Sequence, residues 1–546
     1  MRRFLPVAAC AVLLVSGCAA DPVKDASSDV SFTACSAIDC AGTLPGGATF
    51  DVIMPEHWNG SLAIFSHRIN GVGAPAGKVA IPAPTPTPTP SPVPTKSAHR
   101  GAEKKKGKDG SASPSPTPSV SVSEIQPVPG GPEVAPMWGD GDRSLADVML
   151  QAGYAIAGAN PEQQGWVVSE QITAAEQLYD YFTATVGKPN RVYAWGESTG
   201  GLASARLAQL HPEWVSGALA ICAPLSGPVP SFNLALDVAY TVRELLAPDL
   251  KLVDYASADE ARRAREIALR AVSAAASGPP EKQAAVAFAA AVGQLPNASR
   301  TQAGATWDSQ ITANVEAVTN LLTQSTVQRY EMEQKVGGNF SGNAGTDYAL
   351  RIDEDTRAQL DEIKAGLTDR FLVELGAGSR VTPTADAPAR ADQQGALTGD
   401  LQVPTLSLHN ALDPVYIAAN VSHYATTLSA TGAEERADLV GVYAMPPESV
   451  GSSQPAAEGV GNCNFEPRTL LGAVILLDQW VRNGVYPGRD SLLDSFKQQP
   501  VSLDYDPGPW PQMEATAPAS APPSASADAQ GPPRHHAKGT HRESRQ

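Results

Sequence analysis

Residues 191–210 read RVYAWGESTGGLASARLAQL. The first five, Arg191 to Trp195, are a short apolar run with the look of a buried strand. The last nine, LASARLAQL, are rich in good helix formers. Between them stands Gly196-Glu197-Ser198-Thr199-Gly200. A serine between glycines at a strand-to-helix turn is held in a strained conformation, with its hydroxyl raised above the sheet. The glycines let neighbouring backbone approach where a Cβ would clash. The Thr199 amide, in the first turn of the helix, is placed to donate to an oxyanion formed at Ser198. Ser198 is therefore the candidate nucleophile.

The pattern continues outward on both sides. ALAIC at 218–222 reads as the next strand, and YAIAGA at 154–159 as an earlier one. Residues 144–152 read as a helix, capped by Ser144 and stopped by Gly153. Residues 171–186 read as an amphipathic helix. ATFDVIMP and SLAIF, within 48–65, give two further strands around a turn at Asn59-Gly60. PTLSL at 404–408 and LVGVYA at 439–444 resume the strand pattern, and residues 470–483 close it as a helix. Strands alternating with helices imply a mostly parallel sheet with helices on both faces, an α/β fold. Residues 231–399 are Ala-rich and helical instead, with Ser257 to Glu260 as a capping box and helices expected at 311–322 and 355–367. Such an insertion is expected to form a lid over the elbow side of the sheet.

The ends and one interior stretch have a different composition. Arg2 and Arg3 precede a short apolar run at 7–15, an export signal too short to span a bilayer. It ends Val15-Ser16-Gly17-Cys18, which resembles a bacterial lipobox and implies a lipidated Cys18 at the outer face of the cell membrane. Residues 75–132 contain PTPTPTPSPVP and EKKKGKDG and have almost nothing to bury, so they read as an extended surface insertion. The expected organisation is a signal at 1–17, a linker at 18–47, a first core part at 48–230, the lid at 231–399, a second core part at 400–505 and a disordered tail at 511–546. The net charge of −17 argues against a nucleic-acid partner. After export and lipidation, Cys35, Cys40, Cys222 and Cys463 remain for an oxidising compartment. Cys35–Cys40 would close a small loop, and Cys222–Cys463 would tie two loops at one edge of the sheet. No HExxH motif or close His/Cys/Asp cluster suggests a metal, and nothing suggests a cofactor.

The order of parts, with GYAIAGANPEQQGW, WGESTGGLASARLAQLHPE and VPTLSLHNALDPV, resembles the α/β-hydrolase superfamily, in particular its secreted actinobacterial esterases and related serine hydrolases. The resemblance implies an α/β-hydrolase fold, a small ester or amide substrate, and a nucleophile, acid and histidine in that order. By position Ser198 is the nucleophile and Asp413 the acid. Thr199 and the loop after His67 would supply the oxyanion donors.

Two positions depart from the pattern. The histidine is expected in the stretch Gly461-Asn462-Cys463, where Asn462 stands instead. No histidine lies between Tyr424 and the tail. In Ser66-His67-Arg68, Arg68 stands where the superfamily usually has Gly, which puts a side chain in the oxyanion loop. A carboxamide cannot take the Ser198 proton, and a serine without a base is a poor nucleophile. His67 is the first candidate for a substitute base and His409, four residues before Asp413, the second. Two function classes follow: a serine hydrolase that is weak or inactive, and a non-catalytic descendant that binds a ligand or partner.

Overall fold

The structure, a computed structural model, describes residues 31–35, 39–68, 145–163, 165–297, 305–431, 438–447, 458–486, 488–496 and 499–511. The expected signal, Cys18, the insertion at 75–132, Ser144 as a cap and the tail beyond residue 511 lie outside the described residues.

The strands are β1 (Ser31–Cys35), β2 (Asp39–Thr43), β3 (Thr49–Ile53), β4 (Ser61–Ser66), β5 (Tyr154–Asn160), β6 (Arg191–Glu197), β7 (Gly217–Ile221), β8 (Thr405–Asn410), β9 (Leu439–Ala444) and β10 (Val501–Ser502). They form one sheet in the order β1-β2-β3-β5-β4-β6-β7-β8-β9-β10. From β5 to β9 every pairing is parallel. β1 to β3 and β10 join antiparallel at the two ends.

The chain first moves one way, from β4 to β5, then crosses back over β4 to β6 and continues through β7, β8 and β9. This reversal brings the loops after β4 and β6 side by side. In open α/β sheets a crevice forms at such a switch point, at the carboxyl ends of the strands. With one antiparallel strand beside β5 and the swap of β4 and β5, the order is that of an α/β-hydrolase fold.

The helices between β4 and β8 are α1 (Leu145–Gln151), α2 (Val168–Thr185), α3 (Thr199–Leu210), α4 (Pro228–Leu245), α5 (Ala258–Ala276), α6 (Pro280–Val292), α7 (Trp307–Thr323), α8 (Arg329–Val336), α9 (Glu354–Ile363), α10 (Leu367–Ala377) and α11 (Ala387–Asp392). Later come α12 (Ala419–Ala430), α13 (Pro467–Asn483) and α14 (Arg489–Ser495). Both faces of the sheet are buried, so β4 and β8 have no exposed residue. Alternation still sorts their side chains. Leu62, Ile64, Val192 and Ala194 join α2 and α3 in one core. Ala63, Phe65, Tyr193 and Trp195 join α1 and α13 in the other.

Helices α4 to α11 fall between β7 and β8. Most of them share a core centred on Leu236, Val286, Phe288, Leu322 and Leu375, while Met332 and Val336 of α8 and Ala387 and Ala391 of α11 pack into the core of α2 and α3. The shared core encloses an ion pair, Asp237 with Arg351 at 2.8 Å, to which Tyr348 adds a 2.7 Å hydrogen bond. Ser257 does cap α5, accepting from the Glu260 amide at 3.2 Å, but Glu260 returns its carboxylate to the Ala256 amide instead of to Ser257. The reciprocal box is at Thr306 and Ser309, opening α7.

Two expectations need correction. The stretch expected as a linker contains β1 and β2, which extend the sheet. Leu439–Ala444 is not the last strand, because Val501 and Ser502 pair with Ala444 and Tyr443.

Candidate active site

Strand β6 runs into α3 with Ser198 between them. Its φ of 54° and ψ of −125° form a strained turn for a residue with a Cβ. Two packing constraints hold it there. The Ser198 amide donates to the Ile221 carbonyl of β7 at 2.8 Å, and its carbonyl accepts from the Gly201 amide at 3.0 Å. A Cβ on Gly196 would collide with the Ser66 carbonyl, and one on Gly200 with the Ser66 and His67 carbonyls. Only glycine lets the elbow press this closely on the end of β4. Ser198 is 2 % exposed, and Thr199, the first residue of α3, is fully buried.

Asp413 follows β8 in a turn made by its own side chain. Its Oδ1 accepts the amides of Val415 at 2.8 Å and Tyr416 at 3.0 Å, the Asx pattern that short carboxylates favour. Its Oδ2 accepts from Nδ2 of Asn462 at 2.8 Å. Burial is the main influence on this carboxyl and pushes its pKa up to about 7, while these three donors pull against that.

Asn462 is held in place from three sides. The amide of Gly461 donates to the Leu412 carbonyl at 3.0 Å, and the amide of Leu412 donates to the Gly459 carbonyl at 3.0 Å. Nδ2 of Asn410 donates to the Gly461 carbonyl at 2.8 Å. Cys463 is bonded to Cys222, just past β7, with the Cα atoms 5.3 Å apart. The loop is therefore fixed against the acid, and the residue at its tip is one that cannot act as a base. Cys35 and Cys40 are register partners across β1 and β2. Their side chains lie outside those described.

The two histidines considered as substitute bases differ in their setting. His409 is fully buried, and its Nε2 lies 2.6 Å from the Tyr416 carbonyl. A carbonyl only accepts, so Nε2 carries the proton. Nδ1 has no hydrogen-bond partner, and burial lowers the imidazole pKa to about 4. The 3.7 Å approach of Nε2 to Asp413 Oδ2 is thus made by a neutral ring. His67 reaches the elbow through its backbone: its carbonyl lies against Gly200 and accepts from Gln171 at 2.5 Å. Its ring stands edge-on to Phe65, with centroids 4.9 Å apart.

Two residues that the sequence reading passed over belong to the site. Tyr416, 3 % exposed, is tied to the acid through its amide, and burial raises its pKa above that of an ordinary phenol. The signal for it was the spacing Asp413-Pro414-Val415-Tyr416, an Asx turn that returns the third residue toward the acid. Glu197 is 3 % exposed, and burial pushes its pKa up to about 7 against the pull of the Arg68 guanidinium. Arg68 itself is exposed. Glu197 Oε1, Trp195 Nε1 and Thr199 Oγ1 are buried without hydrogen-bond partners. Among the described residues no group of three or more His, Cys, Asp and Glu is arranged to hold a metal ion.

The elbow, the acid turn and the loop carrying Asn462 follow β6, β8 and β9, at the carboxyl ends of the parallel strands of an α/β-hydrolase fold. No protein-family model and no curated protein matches the chain. Among solved structures it is similar to an esterase from Aspergillus oryzae, at 13% identity over 82% of this chain and 80% of that one, with a TM-score of 0.35. It is also similar to lipase A from Candida antarctica, at 11% identity over 83% and 79%, TM-score 0.32. A third is proline iminopeptidase from Mycobacterium smegmatis, at 10% identity over 84% and 98%, TM-score 0.28. Likenesses this slight say nothing about activity, and the fold stands on its own strand order.

Proposed function

We propose that the chain is an exported lipoprotein of serine-hydrolase lineage, anchored through Cys18 at the outer face of the cell membrane and weak or inactive toward esters and amides. One observation carries the reading: Asn462 occupies the acid's free oxygen at 2.8 Å, as a triad histidine would, and has no basic nitrogen. In serine proteases the loss of the histidine costs on the order of 10⁶ in kcat. Helices α4 to α11 act as the lid that selects what reaches Ser198.

Binding without turnover is the second reading. It is favoured by the unpartnered polar atoms of Trp195, Glu197 and Thr199 around the elbow, which a bound ligand can satisfy. Labelling of the purified protein with a fluorophosphonate tests the first reading. Labelling at least about 10³-fold slower than for an ordinary serine esterase supports it. Rapid labelling that Ser198→Ala abolishes contradicts it.

A further inference from the structure

The Asn462 carboxamide has one end in use. A carboxylate only accepts, so the nitrogen is the end that faces Asp413, and Nδ2 donates to Oδ2 at 2.8 Å. In a planar carboxamide Oδ1 then points away from that oxygen. The bond to Asp413 is the side chain's one hydrogen bond among the described residues, and Asn462 is half-buried, so Oδ1 is an open acceptor. Two short links join it to the elbow. The Ser198 amide donates to the Ile221 carbonyl at 2.8 Å, and the next residue, Cys222, is bonded to Cys463, which follows Asn462. The elbow offers the complementary group. The Thr199 amide opens α3 with no acceptor among the described residues, and the buried Thr199 Oγ1 has no partner either.

We infer that this site takes a carboxamide in preference to the ester of the same acid: the ligand's carbonyl oxygen accepts from the Thr199 amide, and its N–H donates to Asn462 Oδ1. A triad imidazole accepts or donates according to its protonation and so tolerates an ester oxygen. The Asn462 carboxamide has turned its nitrogen to Asp413 and presents an acceptor at Oδ1. An ester has no hydrogen to give it, so two acceptors meet there and Oδ1 loses the water that solvated it. A site that hydrogen-bonds a ligand N–H rejects the analogue lacking it more strongly than a site that matches shape alone. The residue that removes the base thereby becomes a selector.

This inference rests on the reading of binding without turnover, and the test separates the two. The intact protein, labelled with ¹⁵N-asparagine, is titrated with butanamide, N,N-dimethylbutanamide and methyl butanoate. The side-chain resonance of Asn462, assigned with Asn462→Ser, reports each dissociation constant. Butanamide should move this signal and bind at least about tenfold more tightly than the other two, the scale of one hydrogen bond. N,N-Dimethylbutanamide keeps the amide carbonyl and lacks the N–H, so it separates donation from carbonyl polarity. In Asn462→Leu, which has no acceptor, the ratio should fall to about one. Equal affinities of the intact protein for the two amides, or no movement of the Asn462 signal with any probe, overturns the inference and leaves the lack of a base standing. Release of butanoate from the ester, lost in Ser198→Ala, would contradict the inactive reading instead, and the ratio between the two amides still decides this one. Should the variants at 462 fail to fold, ligand-observed titration of the intact protein with the two amides decides alone.

Discussion

Asp413 Oδ2 lies 2.8 Å from Asn462 Nδ2, so the site keeps the geometry of an acid orienting its neighbour while the neighbour is an amide. Two backbone hydrogen bonds, the Asn410 side chain on the Gly461 carbonyl and the disulfide fix the Asn462 loop.

Arg68 should limit recovery of activity. Its guanidinium acts on Glu197, and it replaces the glycine that the resemblance expects in the oxyanion loop. Arg68→Gly combined with Asn462→His should therefore exceed the sum of the single effects, because base and oxyanion donors serve one transition state. Ester hydrolysis in the four variants of the cycle measures the coupling. Simple additivity would show that Arg68 lies outside the reacting geometry.

Breaking the Cys222–Cys463 bond should destabilise the protein. Loss of a native disulfide costs about 2–5 kcal/mol, and this one closes a loop with a sequence separation of 241. Cys222→Ser with Cys463→Ser should lower the melting temperature and also slow any ester turnover recovered by Asn462→His, because the loop is freed. Loss of stability with full retention of that turnover would show that the hydrogen bonds alone position residue 462.

Stability should fall with rising pH through the Glu197 titration. Its folded pKa of about 7 exceeds the unfolded value of about 4.3, so between them the native state binds the proton that the unfolded chain has released. The contribution is complete below about pH 4 and lost as pH passes about 7, at up to about 1.4 kcal/mol per pH unit. Glu197→Gln should flatten the melting-temperature profile between about pH 5 and about pH 8. Parallel profiles for the two proteins would show that Glu197 is ionised in the fold throughout.

Anchoring is tested by fractionation. The parent should partition with membranes and incorporate labelled fatty acid, and Cys18→Ala should do neither. Two acyl chains are needed for stable anchoring, so a singly acylated product should wash off. A soluble parent after export would remove the lipoprotein reading.

The elbow was legible because periodicity and glycine placement are local: Val192 and Ala194 alternate with Tyr193 and Trp195, and Gly196 and Gly200 bracket the turn. Asp413 was legible by its place after PTLSL. The edges were not. SFTAC and DCAGT, the sequences of β1 and β2, carry little apolar alternation, and β10 is too short to show a period. Tyr416, Glu197 and the His409 tautomer were hidden for another reason. Each is defined by its surroundings in the fold: burial around Tyr416, Arg68 near Glu197, and the Tyr416 carbonyl against His409.

The central claim is that Ser198 is idle because residue 462 is not a base. The most direct test is steady-state hydrolysis of a short p-nitrophenyl ester by the parent, Ser198→Ala and Asn462→His, purified side by side. The account predicts that the parent barely exceeds Ser198→Ala and that Asn462→His exceeds both by at least about tenfold, since a positioned general base contributes roughly 10²–10⁴ when unhindered. A parent that turns over ester at a rate lost with Ser198→Ala, or an Asn462→His variant no faster than that control, would contradict it.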